Sequence, residues 1–342
     1  MRSYAVGALI VVGVFACVYG AKIAWRTQAD DSSSSVPDDQ ATPTNQAKQA
    51  TPKSPAETPQ RIVSMAPGVT ETVFALGLGS RLVGVTRYCD HPPEAKQLPQ
   101  VGGLLDPRYE AVLAAKPDLV LAYPEHVRPK NRFAELRLKT LILKHDTMDE
   151  ILESLALIGA ACGVEERAAR LADDMRERIR RIETITRGQA RPRTLISLDR
   201  DLAARAVQGV YVVGNGGFYE ELLEKAGGTN AYQGAAIKFP KLSAEGVLQL
   251  NPDVIIDMAG GVQDSGRGLA EVRRDWDSLK TVAAVKTGRV HVFADSHLVR
   301  PGPRVVELLE EMAHALHPEL EWTPPTSNVG TPKVGTPKVA TP

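Results

Sequence analysis

The chain is poor in cysteine, poor in aromatic residues and carries no net charge. Its 342 residues hold three cysteines, Cys17, Cys89 and Cys162. They form no Cys-x-x-Cys pair and no metal-type spacing, so neither a disulfide framework nor a zinc centre organises the chain. The 41 basic and 41 acidic residues cancel, so nothing points to nucleic acid or an acidic surface as partner. Aromatic residues make up 5%, so the places where they gather carry information. No P-loop, Gly-x-Ser-x-Gly or His-Glu-x-x-His motif occurs. His314 and His317 fall on the last helix, where they cap or solvate it. His91 and His297 fall in loops that follow strands, as do Asp90 and Asp295. Nothing pairs those carboxylates into an acid/base set, so the chain reads as a recognition protein rather than an enzyme.

What is present begins with Val164–Arg187, which reads as one uninterrupted helix. Val164, Ala168, Leu171, Ala172, Met175, Ile179, Ile182 and Ile185 recur at the three/four spacing of one buried stripe. Opposite charges stand four apart at Glu166/Arg170, Asp174/Arg178, Glu177/Arg181 and Glu183/Arg187. Gly163 and Gly188 punctuate the ends. At 1.5 Å per residue the helix is roughly 36 Å long, enough to cross a small domain. A long surface helix is one reading. A strut between two lobes is the other, and the resemblance between its two flanks favours it.

Residues 1–26 carry an uncharged run, Tyr4–Ala21, between Arg2 and Lys22. This predicts an export signal, an uncleaved membrane anchor or a lipoprotein signal at Cys17. Each option places the following residues outside the cytoplasmic membrane, in the periplasm or on the outer face of that membrane. Residues 27–60, rich in Ser, Thr, Pro, Ala and Gln, predict a disordered tether. Residues 321–342 predict a disordered tail, with Val-Gly-Thr-Pro-Lys repeated at 329–333 and 334–338.

Between these, strand and helix alternate. A first α/β lobe is expected over 61–145, an inter-lobe helical segment over 146–188, and a second α/β lobe over 189–320, with parallel sheets covered by helices. Glu110-x-Val-Leu-x-x-Lys-Pro-Asp118-Leu-Val-Leu aligns without gaps on Glu245-x-Val-Leu-x-x-Asn-Pro-Asp253-Val-Ile-Ile. Two such units flanking a strut predict two lobes of one design. Ligands of such sheets lie beyond the carboxyl ends of the strands, here near Ala66–Val69, Arg87–Pro93 and Tyr123–His126. Gly214-Asn-Gly-Gly217 resembles part of a phosphate-binding turn, though a plain turn into a helix is the commoner reading.

Taken together, Arg61-Ile-Val-Ser-Met-Ala-Pro-Gly-Val-Thr-Glu71, Val83-Gly-Val-Thr-Arg-Tyr-Cys-Asp-His-Pro-Pro93, Val101-Gly-Gly, Glu110–Val120 and Phe293-Ala-Asp through Pro303-Arg304 are informative. Over about 60–318 the chain resembles the substrate-binding proteins of ABC importers with a helical backbone. These serve vitamin B12, ferric siderophores and haem. The resemblance implies the class III periplasmic-binding-protein fold, a monomer, no prosthetic group or resident metal, and a permease and ATPase as partners. The Tyr-x-Asp-x-Pro-Pro loop is similar to that of members binding vitamin B12, which implies cobalamin as transported ligand. It also places ligand contacts on Tyr88, Tyr123, Tyr211 and Phe239, with Asp90, His91, Asp295, His297 and Arg300 in the cleft loops. The family's permease-docking glutamates fall on Glu110 and Glu245. Three departures stand out. Leu104–Asp106 replace a tryptophan, His297 or Leu298 replaces a last-loop aromatic, and Ala226 replaces a cysteine. A siderophore or haem as ligand remains open, kept so by Arg87, Arg128 and Arg300. So does an anchored sensor or scaffold without a permease. A third alternative, an α/β enzyme such as a chelatase, requires a cleft acid/base pair, and none is found.

Overall fold

The computed structural model describes residues 58–127, 130–262, 265–294 and 300–322. The N-terminal segment, most of the tether, the tail from residue 323, Arg128, Asp295 and His297 lie outside them. The first lobe runs β1 (Ile62–Ser64), α1 (Pro67–Ala75), β2 (Leu82–Val85), α2 (Tyr109–Ala114), β3 (Leu119–Ala122), α3 (Arg132–Glu135) and β4 (Thr140–Ile142). Strands separated by a helical crossover pair in parallel. The sheet order is β2-β1-β3-β4, parallel at every pairing. Ile62, Leu119 and Leu121 pack to one side and Val63, Val120 and Ala122 to the other. That is the period-two pattern of strands covered on both faces.

Two helices follow, α4 (Met148–Cys162) and α5 (Glu165–Thr186). Gly163, at φ 69°, ends α4 in the left-handed region and turns the chain back. The second lobe runs β5 (Arg193–Arg200), β6 (Gly209–Val212), α6 (Phe218–Lys225), β7 (Thr229–Asn230), β8 (Lys241–Ser243) and α7 (Ala244–Leu250). It continues with β9 (Val254–Met258), α8 (Leu269–Arg274), α9 (Ala283–Lys286), β10 (Val290–Phe293) and α10 (Val305–Leu316). Its sheet order is β10-β9-β5-β6-β8, with β7 on β5. The parallel arrangement expected holds for β10, β9, β5 and β7. It fails at β6, which is antiparallel to both β5 and β8. Residues 201–208 alone join β5 to β6, too few for a crossover of about a dozen.

The α4–α5 hairpin belongs to both cores. Ile158, Cys162, Val164 and Ala168 pack into the first lobe. Met148, Ile151, Leu152, Leu155, Ala172, Met175, Ile179 and Ile182 pack into the second. Leu171 touches both. Within α5 the expected stripe is buried except that Leu171 and Ile185 are half-buried, while Thr186 is buried. Of the ion pairs expected along α5, Glu166–Arg170 forms, at 3.5 Å. Arg178 instead grips Glu310 of α10 in a bidentate pair at 2.9 and 2.8 Å, Glu183 takes Lys225 of α6, and Glu177 takes Arg180. For Arg178, the neighbouring helix offers a carboxylate in bidentate fork geometry.

The internal repeat is a repeated hydrogen-bond staple. Asp118 accepts the Gln60 and Arg61 amide N–H groups at 2.7 and 3.0 Å. The Arg61 guanidinium donates to the Ala115 and Lys116 carbonyls that end α2. Asp253 likewise accepts the Arg193 N–H at 2.9 Å, and the Arg193 guanidinium donates to the Leu250 and Asn251 carbonyls that end α7. Lys116 and Asn251 share a left-handed φ of 47° and 43°.

The segment after β10 ties the second lobe to the first. Arg304 donates to both carboxylate oxygens of buried Glu71 on α1, at 2.9 and 2.7 Å. A Cβ on Gly68 would lie 2.1 Å from the Pro301 carbonyl oxygen, so this approach admits only glycine. Glu71→Ala should cost about 3–5 kcal/mol in denaturant unfolding, because it strands a charge. Glu71→Leu with Arg304→Leu should recover most of that loss. A cost below about 1 kcal/mol for the single variant would show that the pair does not bind the lobes together.

Candidate functional site

The loop after β2 is fixed from beneath by Cys89. Its buried Sγ lies 3.1 Å from the Thr70 and Thr86 hydroxyls, and its N–H donates to the Thr86 carbonyl. Burial pushes the thiol pKa up, so Cys89 is a packing residue. Its neighbours Tyr88 and Asp90 are half-buried on the loop. The Arg87 guanidinium lies 5.5 Å from the Tyr88 ring centroid and pairs with Asp106. Gly103 stands against Tyr88, and Leu105 beyond it is exposed.

Asp90 and Arg300 are brought together from 210 residues apart in a bidentate ion pair. Burial opposes ionisation of Asp90, yet Arg300 holds its carboxyl below the usual range. Arg300 also approaches Glu71 at 3.7 Å. His91 is pushed below the ordinary histidine value by burial and by Arg304, so it is neutral at pH 7. Tyr123 stands at the floor between the lobes rather than on an open wall. It is 5% exposed, and its hydroxyl donates to the Pro301 carbonyl at 3.2 Å. Tyr123, Pro301 and Ile151, Ser154 and Ile158 of α4 line one small cavity. His145 meets the Tyr123 ring edge-on at 3.9 Å. Burial holds His126 and His145 near pKa 4.

In the second lobe Tyr211 is 37% exposed, with the Lys241 ammonium 5.4 Å from its ring centroid. Tyr211 pairs with Lys241 on β8 and Asp199 on β5, so strand alternation puts all three on one face. Phe239, two residues before Lys241, is half-buried against the second core. Ile237 beside it is exposed. The glycine turn before α6 is an ordinary turn: its Gly216 N–H donates to Glu220 of the same helix. Glu110 and Glu245 are exposed in the first turns of α2 and α7. Each helix ends close to the start of the next strand, so its first turn lies toward the edge where the strands' carboxyl ends and ligand loops lie. Among the described residues no cluster of His, Cys, Asp or Glu holds metal-binding geometry.

Several contributors escaped the sequence reading. Leu105 and Ile237 are apolar and exposed beside the cleft loops, Glu71 and Arg304 join the lobes, and Asp199 faces Tyr211. Beneath Asp199, Asp257 accepts from Ser197 at 3.0 Å, Arg200 at 3.0 Å and Trp276 at 2.9 Å. The one available signal was a carboxylate inside the apolar run Val254-Ile-Ile-Asp-Met258. Burial, with Asp257 and Asp201 nearby, pushes the Asp199 carboxyl up to about 6. A carboxyl raised above its unfolded value weakens the fold when ionised; that penalty is full above about 6, shrinks as pH falls below it, and vanishes only below the ordinary aspartate value of about 4. Asp199→Asn should therefore raise the thermal midpoint at pH 7.5 and leave it nearly unchanged at pH 3.5. Equal shifts at both pH values would contradict the assignment.

Known proteins share this arrangement. Residues 62–296 match the family model described as periplasmic binding protein. The chain is 29% identical over 262 residues to the vitamin B12-binding protein of Pectobacterium carotovorum, covering 75% of this chain and 88% of that protein. It is 31% identical over 273 residues to an ABC transporter substrate-binding lipoprotein of Bacillus subtilis, covering 76% and 81%. Among solved structures it is similar to the apo periplasmic haem-binding protein of Roseiflexus sp. RS-1, at TM-score 0.65 and 26% identity, covering 76% and 98%. It is similar to the periplasmic vitamin B12-binding protein of Vibrio cholerae, at TM-score 0.64 and 26% identity, covering 75% and 96%. Two α/β lobes on a helical hairpin, a repeated staple and these matches lead to one conclusion: the chain belongs to the periplasmic binding protein family, as the substrate-binding component of an ABC transporter.

Proposed function

We propose that the protein captures a corrinoid, vitamin B12, between its lobes and delivers it to the permease. In this reading residues 1–26 hold it at the outer face of the cytoplasmic membrane and 27–60 are the tether. The ligand rests between Tyr88 and Leu105 on the first lobe and Tyr211, Phe239 and Ile237 on the second. Tyr123, His91 and the loop carrying Asp295, His297 and Arg300 bound the slot. A flat macrocycle stacks on aromatic faces and buries apolar surface there. Glu110 and Glu245 engage the permease.

The observation that carries the ligand class is the neutralisation of the two cleft arginines among the described residues. Arg87 is paired with Asp106 and Arg300 with Asp90. A slot built for a carboxylate-bearing chelate leaves its guanidinium groups for the ligand. With both described cleft arginines already paired, the slot favours an uncharged, amide-rich ligand such as cobalamin. Haem is the second reading, favoured by the equal likeness to a haem-binding structure. Under it Arg87 and Arg300 would leave their carboxylates for the propionates.

Calorimetry on the full chain tests the proposal. Cobalamin should bind, and Tyr88→Ala and Tyr211→Ala should each weaken it about tenfold or more, as truncated aromatic anchors do. Haem should bind more weakly than cobalamin. Unchanged cobalamin affinity in both variants, or tighter binding of haem, would overturn the assignment.

A further inference from the structure

Seven large apolar side chains are conspicuously exposed among the described residues: Leu105, Leu113, Leu157, Tyr211, Ile237, Leu248 and Leu269. Leu105, Tyr211 and Ile237 border the cleft. Of the rest, Leu113 and Leu248 occupy one position of the internal repeat. They are 43% and 39% exposed, while Val112 and Val247 beside them are fully buried. The helices α2 and α7 therefore have the same phase, and the Arg61–Asp118 and Arg193–Asp253 staples hold them in the same pose. Residues three apart share a helix face, so Leu113 lies with Glu110 and Leu248 with Glu245. Among the described residues no hydrophobic cluster uses these leucines.

We propose that Leu113 and Leu248 form the apolar half of a docking surface, each completed by the glutamate three residues before it, for the extracytoplasmic face of the transporter's membrane subunits. The inference rests on the receptor reading above and adds to it the contacts that give docking its affinity. An acid beside an apolar knob fits a protein surface offering a cation beside an apolar socket. The same unit appears once per lobe, so the partner presents that socket twice. The Glu245 carboxyl is held below its usual range by its own backbone N–H and by the Ser243 hydroxyl, and so stays charged. An acidic residue beside each leucine disfavours an anionic lipid surface as occupant. Both first turns face the edge that carries the ligand loops, so a partner engaged there meets the cleft.

The test uses the full chain and its permease–ATPase complex in nanodiscs, with lipid-only nanodiscs in parallel. Leu113→Ser and Leu248→Ser should each weaken docking about tenfold, and the double variant about a hundredfold, as loss of a buried leucine predicts. Leu157→Ser and Leu269→Ser, comparably exposed but outside the repeat, should stay within about twofold of wild type. Ligand affinity should be unchanged in all of them. Should Glu110→Ala with Glu245→Ala weaken docking while the serine variants do not, this inference fails and the receptor reading stands. Should the wild type not dock, or the glutamate variant dock normally, the receptor reading fails and takes this inference with it. Leucine-dependent binding to lipid-only nanodiscs would also overturn it.

Discussion

The structure depends on one packing constraint: a single helical hairpin is built into two hydrophobic cores. Ile158, Cys162 and Ala168 at the closed end of α4 and α5 belong to the first lobe, and Met148, Met175, Ile179 and Ile182 toward the open end belong to the second. A lobe that rotated about a flexible strand would lose little. A lobe that rotates here pulls close-packed side chains out of register, which cores resist. The ion pair between Glu71 and Arg304 and the contact of Gly68 with Pro301 add a second tie on the other side of the floor. The space between the lobes is therefore largely set before any ligand arrives, which lowers the ordering cost of binding.

The two lobes solve the same local problem in the same way. A short helix before a strand leaves its last carbonyls unpaired. In each lobe an arginine at the start of a sheet strand donates to those carbonyls, while an aspartate after the Pro of the turn accepts that strand's first amide. This duplicates the presentation of Glu110 and Glu245. The later strands diverge: the first lobe keeps a wholly parallel sheet, and the second admits β6 in the opposite sense.

What was legible in the sequence follows from how local each cause is. The long helix was readable within a residue at each end, because its stripe depends on its own period. The repeated unit was readable because Pro-Asp after a helix carries a fixed hydrogen-bond role. The direction of β6 was not, since a short antiparallel strand shows the same apolar pattern as a parallel one. The partners of Arg178 and Glu183 were not, because a charge chooses among neighbours that only packing brings near. Asp90 and Arg300 were each identified as cleft residues, but their pairing spans 210 positions. The buried position of Tyr123 depends on Pro301, from the other lobe. Asp295 and His297 lie outside the described residues.

The most direct test of the shared hairpin is a distance between the lobes with and without ligand. Spin labels at Glu110→Cys and Glu245→Cys, in a Cys17→Ser background with Cys89 and Cys162 buried, report it by pulsed dipolar spectroscopy. On addition of cobalamin the mean distance should move by no more than about 2 Å, as in pre-organised complexes. A shift of about 5 Å or more, the scale of hinge closure between domains, would contradict a cleft fixed by one hairpin in two cores.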